Sequence, residues 1–528
     1  MVSGSGFTTQ VSREAPGERI RVTPRAGVPR ARRFVRQDGV GHVHRAVVHN
    51  NDLPNVMRAL RERVFGVEGP CGLRPPPEPK AGAFDRLRSF RSQLVGVVGP
   101  CHPLSYEEFL SHYRGAKLVR YRQAVEEIRV MGLDPVEASK LTAFVKAEFV
   151  NLDAKTDPAP RIIQPRQPAF NAALGRYIQP LERRLYRAIK RVFGDHTVMK
   201  GFNAYQVGCI AARKWSKFRR PCCVGLDASR FDQHVSRAAL EWEHSVYLAC
   251  FGPGYRQELG GLLKQQINNQ GAAFLPEAVV RYEVEGRRMS GDMNTALGNC
   301  LLMCAMVHAY SSEIGVQVEL MNNGDDCQCI MEQEHVELFT AGLVDWFTDM
   351  GFTMKVEPTE TVLERLEFCQ TRPVCVAGDW IMCRSPFVAI SKDVMWKQPN
   401  TAGAALARGY SEWSHDVGLC GLSLAGGMPV LQSFYDYLIR TGARGTKYRA
   451  SPNQVVSGFS MMARGMDRRR MTVEPSTRYS FWLAWGVLPD SQVAAEQMYD
   501  QLTAPDGHRS LMDHQSIVLC ETPLFVYD

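Results

Sequence analysis

The apolar and polar positions divide the chain into a mixed first part, a strand-bearing middle and a helical end. Periodicity predicts helices over 54–65, 84–98, 106–131, 170–193 and 235–250. Between them, 141–150 alternates as a strand does, and five prolines make 70–79 an extended connector. Cys222 to Leu226 is a short apolar run, read as a buried strand that ends in Asp227. Leu297 to Tyr310 is apolar all round and reads as a buried helix. Val316–Met321 and Cys327–Met331 read as two strands joined by a turn at Asn322, Asn323 and Gly324, which places Asp325 and Asp326 at its tip. A helix over 334–350 and a strand over 352–357 follow, then a hairpin pairing 366–370 with 380–384. Helices over 401–413, 428–441 and 454–466 close the chain.

With 528 residues, 45% apolar and 22% charged, the chain has the composition of a large globular protein. Its net charge of +8 is concentrated at the start, where residues 1–40 hold eight Arg against Glu14, Glu18 and Asp38. This segment, rich in Gly, Pro and Arg, is expected to be a flexible basic tail facing an anionic partner. Fifteen cysteines lack zinc-ligand spacing and fit free thiols in a reducing compartment. No run of 18 apolar residues occurs, so no membrane span is expected.

Two adjacent acids at a turn are ordinarily just a solvated turn. Here they follow another costly feature, an acid at the end of a buried strand, which needs a partner or a metal ion. Asp227, Asp325 and Asp326 are therefore read as ligands of two Mg²⁺ (or Mn²⁺) ions, which take hard oxygens and share them with phosphates. Other residues fit the same chemistry, nucleotidyl transfer. Lys146, Lys155, Arg161 and Arg166 lie on a stiff ribbon, 146–166, suited to a triphosphate. Asp232, Ser290, Thr295 and Asn299 are polar groups able to recognise a ribose 2′-hydroxyl. Lys355, on its own strand, can serve as general acid toward pyrophosphate.

Several long runs carry a resemblance: "DPAPRIIQPR", "TVMKGFNA", "VGLDASRFDQHVS", "RMSGDMNTALGNC", "NNGDDC", "GFTMKVE" and "LEFCQT". Over about residues 41–490 the chain resembles the RNA-dependent RNA polymerases of the tombusvirus family of positive-strand RNA viruses. The resemblance implies an α+β right-hand fold with a palm built on an antiparallel sheet. The expected divisions are a tail at 1–40, fingers at 41–220 and 251–285, palm at 221–250 and 286–390, and a helical thumb at 391–528. It makes 227–232 motif A, 290–299 motif B, 324–326 motif C, Lys355 motif D and 368–370 motif E. Arg161 falls at the triphosphate arginine of motif F, and RNA contacts are implied at Gly291, Phe368, Cys369 and Gln370. The implied partners are template and nascent RNA, nucleoside triphosphates and a viral membrane-anchored replication protein. The implied location is the host cytoplasm, at membrane-associated replication complexes reached through a partner or an upstream fusion. Family polymerases usually follow an upstream membrane-targeting region, which is not seen before residue 41, so umbravirus-like members are the nearest expectation.

Two competing readings remain. A reverse transcriptase would want a bulky residue in place of Asp232 and Tyr-x-Asp-Asp in place of Gly324-Asp325-Asp326. A non-catalytic RNA-binding scaffold would have lost one of Asp227, Asp325 and Asp326, and all three are present.

Overall fold

The structure, a computed structural model, describes residues 2–9, 13–41, 44–154, 157–397, 403–443 and 457–503. Its centre is a four-stranded antiparallel sheet in the order Glu319–Asn323, Asp326–Glu332, Pro221–Ala228, Met354–Glu360. Both faces are covered, which is why these strands are nearly continuous in apolar residues. Cys222, Val224, Leu226 and Cys329 join one core with the largely apolar helix Thr295–Glu313. Cys223, Met321 and Ile330 face the opposite core, against the helix Ala204–Trp215. Every cysteine among the described residues is a free thiol.

A second four-stranded sheet runs in the order Arg19–Pro24, Ala278–Glu285, Asn268–Phe274, Leu141–Thr142. The hairpin Thr371–Val376 with Asp379–Arg384 leads into helices Gly403–Ala425, Leu431–Thr441, Pro475–Trp485 and Pro489–Gln501. Mixed sheets and helices bear out the α+β expectation.

The tail expectation gives way. Residues 2–5 and 33–36 form strands, and the latter also pairs with Met395–Lys397 near the C-terminal helices. Arg19–Pro24 pairs along its length with Ala278–Glu285. Phe34, Val35 and Val40 are buried, and Arg61 holds Glu18 at 2.7 Å. Main-chain pairing with distant strands supplies the order, so the segment needs no apolar run of its own.

Element bounds also shift. The 106–131 helix is two, Tyr106–Ser111 and Gly115–Met131, because Gly115 takes a left-handed φ of 57°. The 334–350 helix is interrupted at Gly342. Residues 366–370 are not a strand: the chain turns there through Cys369 and Gln370, at φ of 53° and 59°. Residues 401–402 and 454–456 lie outside the described residues; beyond them the helices seen are Gly403–Ala425 and Ser457–Met462.

Candidate active site

The three acids meet at one end of the central sheet. Asp227 lies directly opposite Asp326 on one neighbouring strand and opposite Lys355 on the other. Asp325 sits at the turn beside them, exposed. Gly324 takes φ of 93°, a conformation that suits glycine. The buried Asn322 clamps this turn: its Nδ2 donates to the Gly324 carbonyl at 2.7 Å, and its Oδ1 accepts from Gly324 N–H at 3.2 Å.

The turn at 368–370 holds the site from below. Cys369 N–H donates to Asp326 Oδ2 at 2.9 Å, and Asn323 Nδ2 donates to Cys369 Sγ at 2.9 Å. Lys200 Nζ donates to Asn323 Oδ1 at 2.7 Å. Burial, aided by Asp325 and Glu357, pushes the Asp326 carboxyl up to about 6 against these hydrogen bonds. An acid raised in part by neighbouring acids marks a place where negative charge is in excess, and the hard oxygens there suit a divalent cation. Among the described residues no three such groups form a complete protein cage.

Beside the acids is a buried polar network. Asn299 Nδ2 donates to Asp232 Oδ1 at 2.7 Å, while its Oδ1 accepts from Arg288 Nε at 3.1 Å. Arg288 is ion-paired with Glu243, and both side chains are fully enclosed. Asn294 Nδ2 donates to Glu243 Oε1 at 2.9 Å, and Tyr247 hydroxyl to the same oxygen at 2.8 Å. Burial pushes Asp232 up to about 6, opposed by Asn299 and Arg288. Thr295 is not in this network, because its hydroxyl donates to the Met289 carbonyl at 2.8 Å and caps the loop instead.

The loop before that helix is fastened to the ribbon. Gln164 N–H donates to the Ser290 carbonyl at 2.7 Å. Gly291 has φ of 128°, and a Cβ there would stand 3.1 Å from Pro165. Arg166 is sealed inside: its guanidinium donates to Asp292 Oδ1 and Asn269 Oδ1, both at 2.6 Å, and to the Ser139 carbonyl at 2.9 Å. It therefore fastens the loop and has no donor facing a nucleotide. Lys146 and Arg161 remain outward and share Glu148, at 2.9 and 3.4 Å. Lys155 lies outside the described residues. Phe368 is buried in the core, so of the three residues expected to touch RNA at 368–370 Gln370 is exposed and Cys369 half-buried.

Sequence reasoning missed Arg288, Glu243 and Lys200, and gave Asn322 and Asn323 no role beyond the turn. The signal for the first pair was a charged residue, Glu243, amid the apolar face of a helix. Lys200 carried none beyond its place in "TVMKGFNA".

Comparison with known proteins agrees with this geometry. Residues 20–506 match the family described as viral RNA dependent RNA polymerase. The chain is 44% identical over 495 residues to the RNA-directed RNA polymerase of Tobacco necrosis virus (strain A), covering 94% of this chain and 67% of that protein. It is 39% identical over 515 residues to that of Oat chlorotic stunt virus (isolate United Kingdom), covering 94% and 68%. Against that of Melon necrotic spot virus it is 41% identical over 505 residues, covering 95% and 63%. The chain spans about two thirds of the length of these relatives. It belongs to the viral RNA-dependent RNA polymerases, and is an RNA-directed RNA polymerase of the kind carried by positive-strand plant viruses.

Proposed function

We propose that the chain extends RNA by two-metal-ion nucleotidyl transfer at Asp227, Asp325 and Asp326. The observation that carries this is the register that sets Asp227 between Asp326 and Lys355. Two divalent cations held by these acids would sharpen a 3′-hydroxyl as nucleophile and neutralise the pyrophosphate leaving group. The chain's own residues do the rest. Lys146 and Arg161 offer exposed positive charge to a triphosphate, with Glu148 as their resting partner. The Asp232–Asn299 pair presents buried polar atoms to the sugar, and Arg288 fixes the orientation of Asn299. Lys355 stands beside Asp227 to give a proton to the leaving group.

In the right-hand reading the central sheet is the palm, the second sheet and the 146–166 ribbon belong to the fingers, and the C-terminal helices are the thumb. Residues 1–40 then count with the fingers, through Arg19–Pro24. No helix among the described residues is long and apolar enough to cross a membrane. Attachment to replication membranes in the host cytoplasm would fall to a membrane-anchored partner or a fused segment.

The test is Asp325→Asn. Nucleotide addition with Mg²⁺ should be lost while RNA affinity stays near that of the parent, since contacts to phosphates dominate affinity. Retained elongation would refute the assignment.

A further inference from the structure

The outer face of the second sheet carries a charge arrangement that its own strands do not compensate. Arg281 lies directly opposite Arg21. Residues opposite each other in an antiparallel pair share a face, and like charges there are destabilising. Both arginines are exposed, and neither side chain forms an ion pair or hydrogen bond among the described residues. The next rung is different. Glu283 lies between Arg19 and Gln270, and Gln270 Nε2 donates to Glu283 Oε1 at 3.2 Å. Among the described residues, the Arg21–Arg281 rung sets like charges opposite each other with no acid in the rung.

Phe274 stands two residues along the ladder from that rung, on the same face and 56% exposed. Two strand residues span roughly 7 Å. A nucleotide could stack its base on Phe274 and rest a phosphate on the arginine pair. Arg21, Arg281, Phe274 and Thr142 line a depression of about 820 Å³, in the size range of a ligand site; the carboxylates that share its lining, Glu18, Glu137 and Glu283, are held by Arg61, Lys140 and Gln270. The face is turned away from the reacting acids. Tyr282, adjacent to Arg281, points to the opposite side, where its hydroxyl accepts from Gln164 Nε2 at 2.6 Å, close to the Ser290 loop.

We propose that this face binds single-stranded RNA outside the catalytic cleft, with Arg21 and Arg281 on phosphates and Phe274 against a base. The inference rests on the polymerase reading, because RNA is then the polyanion at hand. Charge alone would also suit an acidic protein. The exposed aromatic ring beside two free guanidiniums favours single-stranded nucleic acid, which is held by stacking and backbone charge together.

The experiment uses the full chain and two RNAs: a hairpin primer–template with a minimal overhang, and the same hairpin with a long oligouridine overhang. Binding is measured over a range of salt concentrations. Changing both arginines, Arg21→Gln with Arg281→Gln, should flatten the log K against log salt slope for the long RNA by about 1.4, at 0.7 per lost phosphate contact. The minimal hairpin should bind and extend as before. Phe274→Ala should weaken the long RNA roughly 5- to 150-fold while barely altering the slope.

Arg21→Glu separates a binding role from a structural one. It turns the repulsive rung into an attractive one, so the unfolding temperature should rise while affinity for the long RNA falls. A lower unfolding temperature would assign the arginines to the fold and overturn the proposal. So would equal losses on both RNAs, or no loss on either, the result expected of a surface for an acidic protein. Extension of the minimal hairpin reads catalysis independently, so failure of this proposal leaves the catalytic assignment to its own test.

Discussion

Gly298→Ala tests whether the ion pair beneath Asn299 governs both stability and sugar choice. A Cβ at position 298 would lie 2.6 Å from both Glu243 carboxylate oxygens and would also clash with the Arg288 guanidinium. Those atoms end flexible side chains, yet both chains are fully enclosed and have nowhere to move. Breaking a buried ion pair costs about 3–5 kcal/mol. At roughly 2–4 °C per kcal/mol for a domain of this scale, the midpoint of unfolding should fall by on the order of 10 °C. Arg288 also orients Asn299 through its Nε. Surviving enzyme should therefore discriminate less between ribonucleotides and deoxyribonucleotides. Gly261→Ala is the internal control, since nothing lies within 4 Å of a Cβ there and the position is an exposed helical one. It should be neutral or stabilising by up to ~1 kcal/mol. The assays are thermal unfolding and single-nucleotide incorporation with paired NTP and dNTP. Parental unfolding and parental selectivity in Gly298→Ala would refute the reasoning.

Asn299→Ala removes the hydrogen bond to Asp232 directly and should reduce the preference for NTP by about 1–3 kcal/mol, read as the ratio of kcat/KM values. An unchanged ratio in an active variant would detach Asn299 from sugar recognition. Removing residues 1–36 takes away three strands and the partner of Arg61, so unfolding temperature and extension rate should both fall, as scanning calorimetry and primer extension would show. A truncated chain with parental values for both would restore the passive tail. Burial pushes His234 and His244 down to about 4. Folded protein keeps them neutral while the unfolded chain, with pKa near ~6.5, takes up protons. Stability is thus intact above about 6.5 and declines as pH falls toward about 4, by up to ~3 kcal/mol per histidine. Leu in place of both should flatten the denaturation midpoint against pH across that window, and an unaltered slope would exclude them as its source.

Much of the chemistry was legible because residue type and local pattern carry it. An acid closing an apolar strand is costly wherever the strand packs, so Asp227 stood out before any neighbour was known. Asn322 to Asp326 between two apolar runs spells a turn, and 297–310, apolar on every side, must be buried. The hairpin at 366–384 was misplaced because two non-glycine residues there take left-handed backbone angles, which no propensity suggests. Arg166 looked like a phosphate ligand on a basic ribbon. Only packing shows Asp292, Asn269 and Ser139 absorbing its donors.

By itself, then, the sequence determined the candidate acids, the family and the balance of strand and helix, since each depends on residues near one another in the chain. Tertiary structure decided which acids face each other across the sheet, that Arg288 and Glu243 support Asn299, and that an arginine-rich start becomes the edge of a sheet completed more than two hundred residues later. Pairings of that kind depend on main-chain hydrogen bonds between distant segments, and a strand that borrows its order from a partner need carry no apolar pattern of its own.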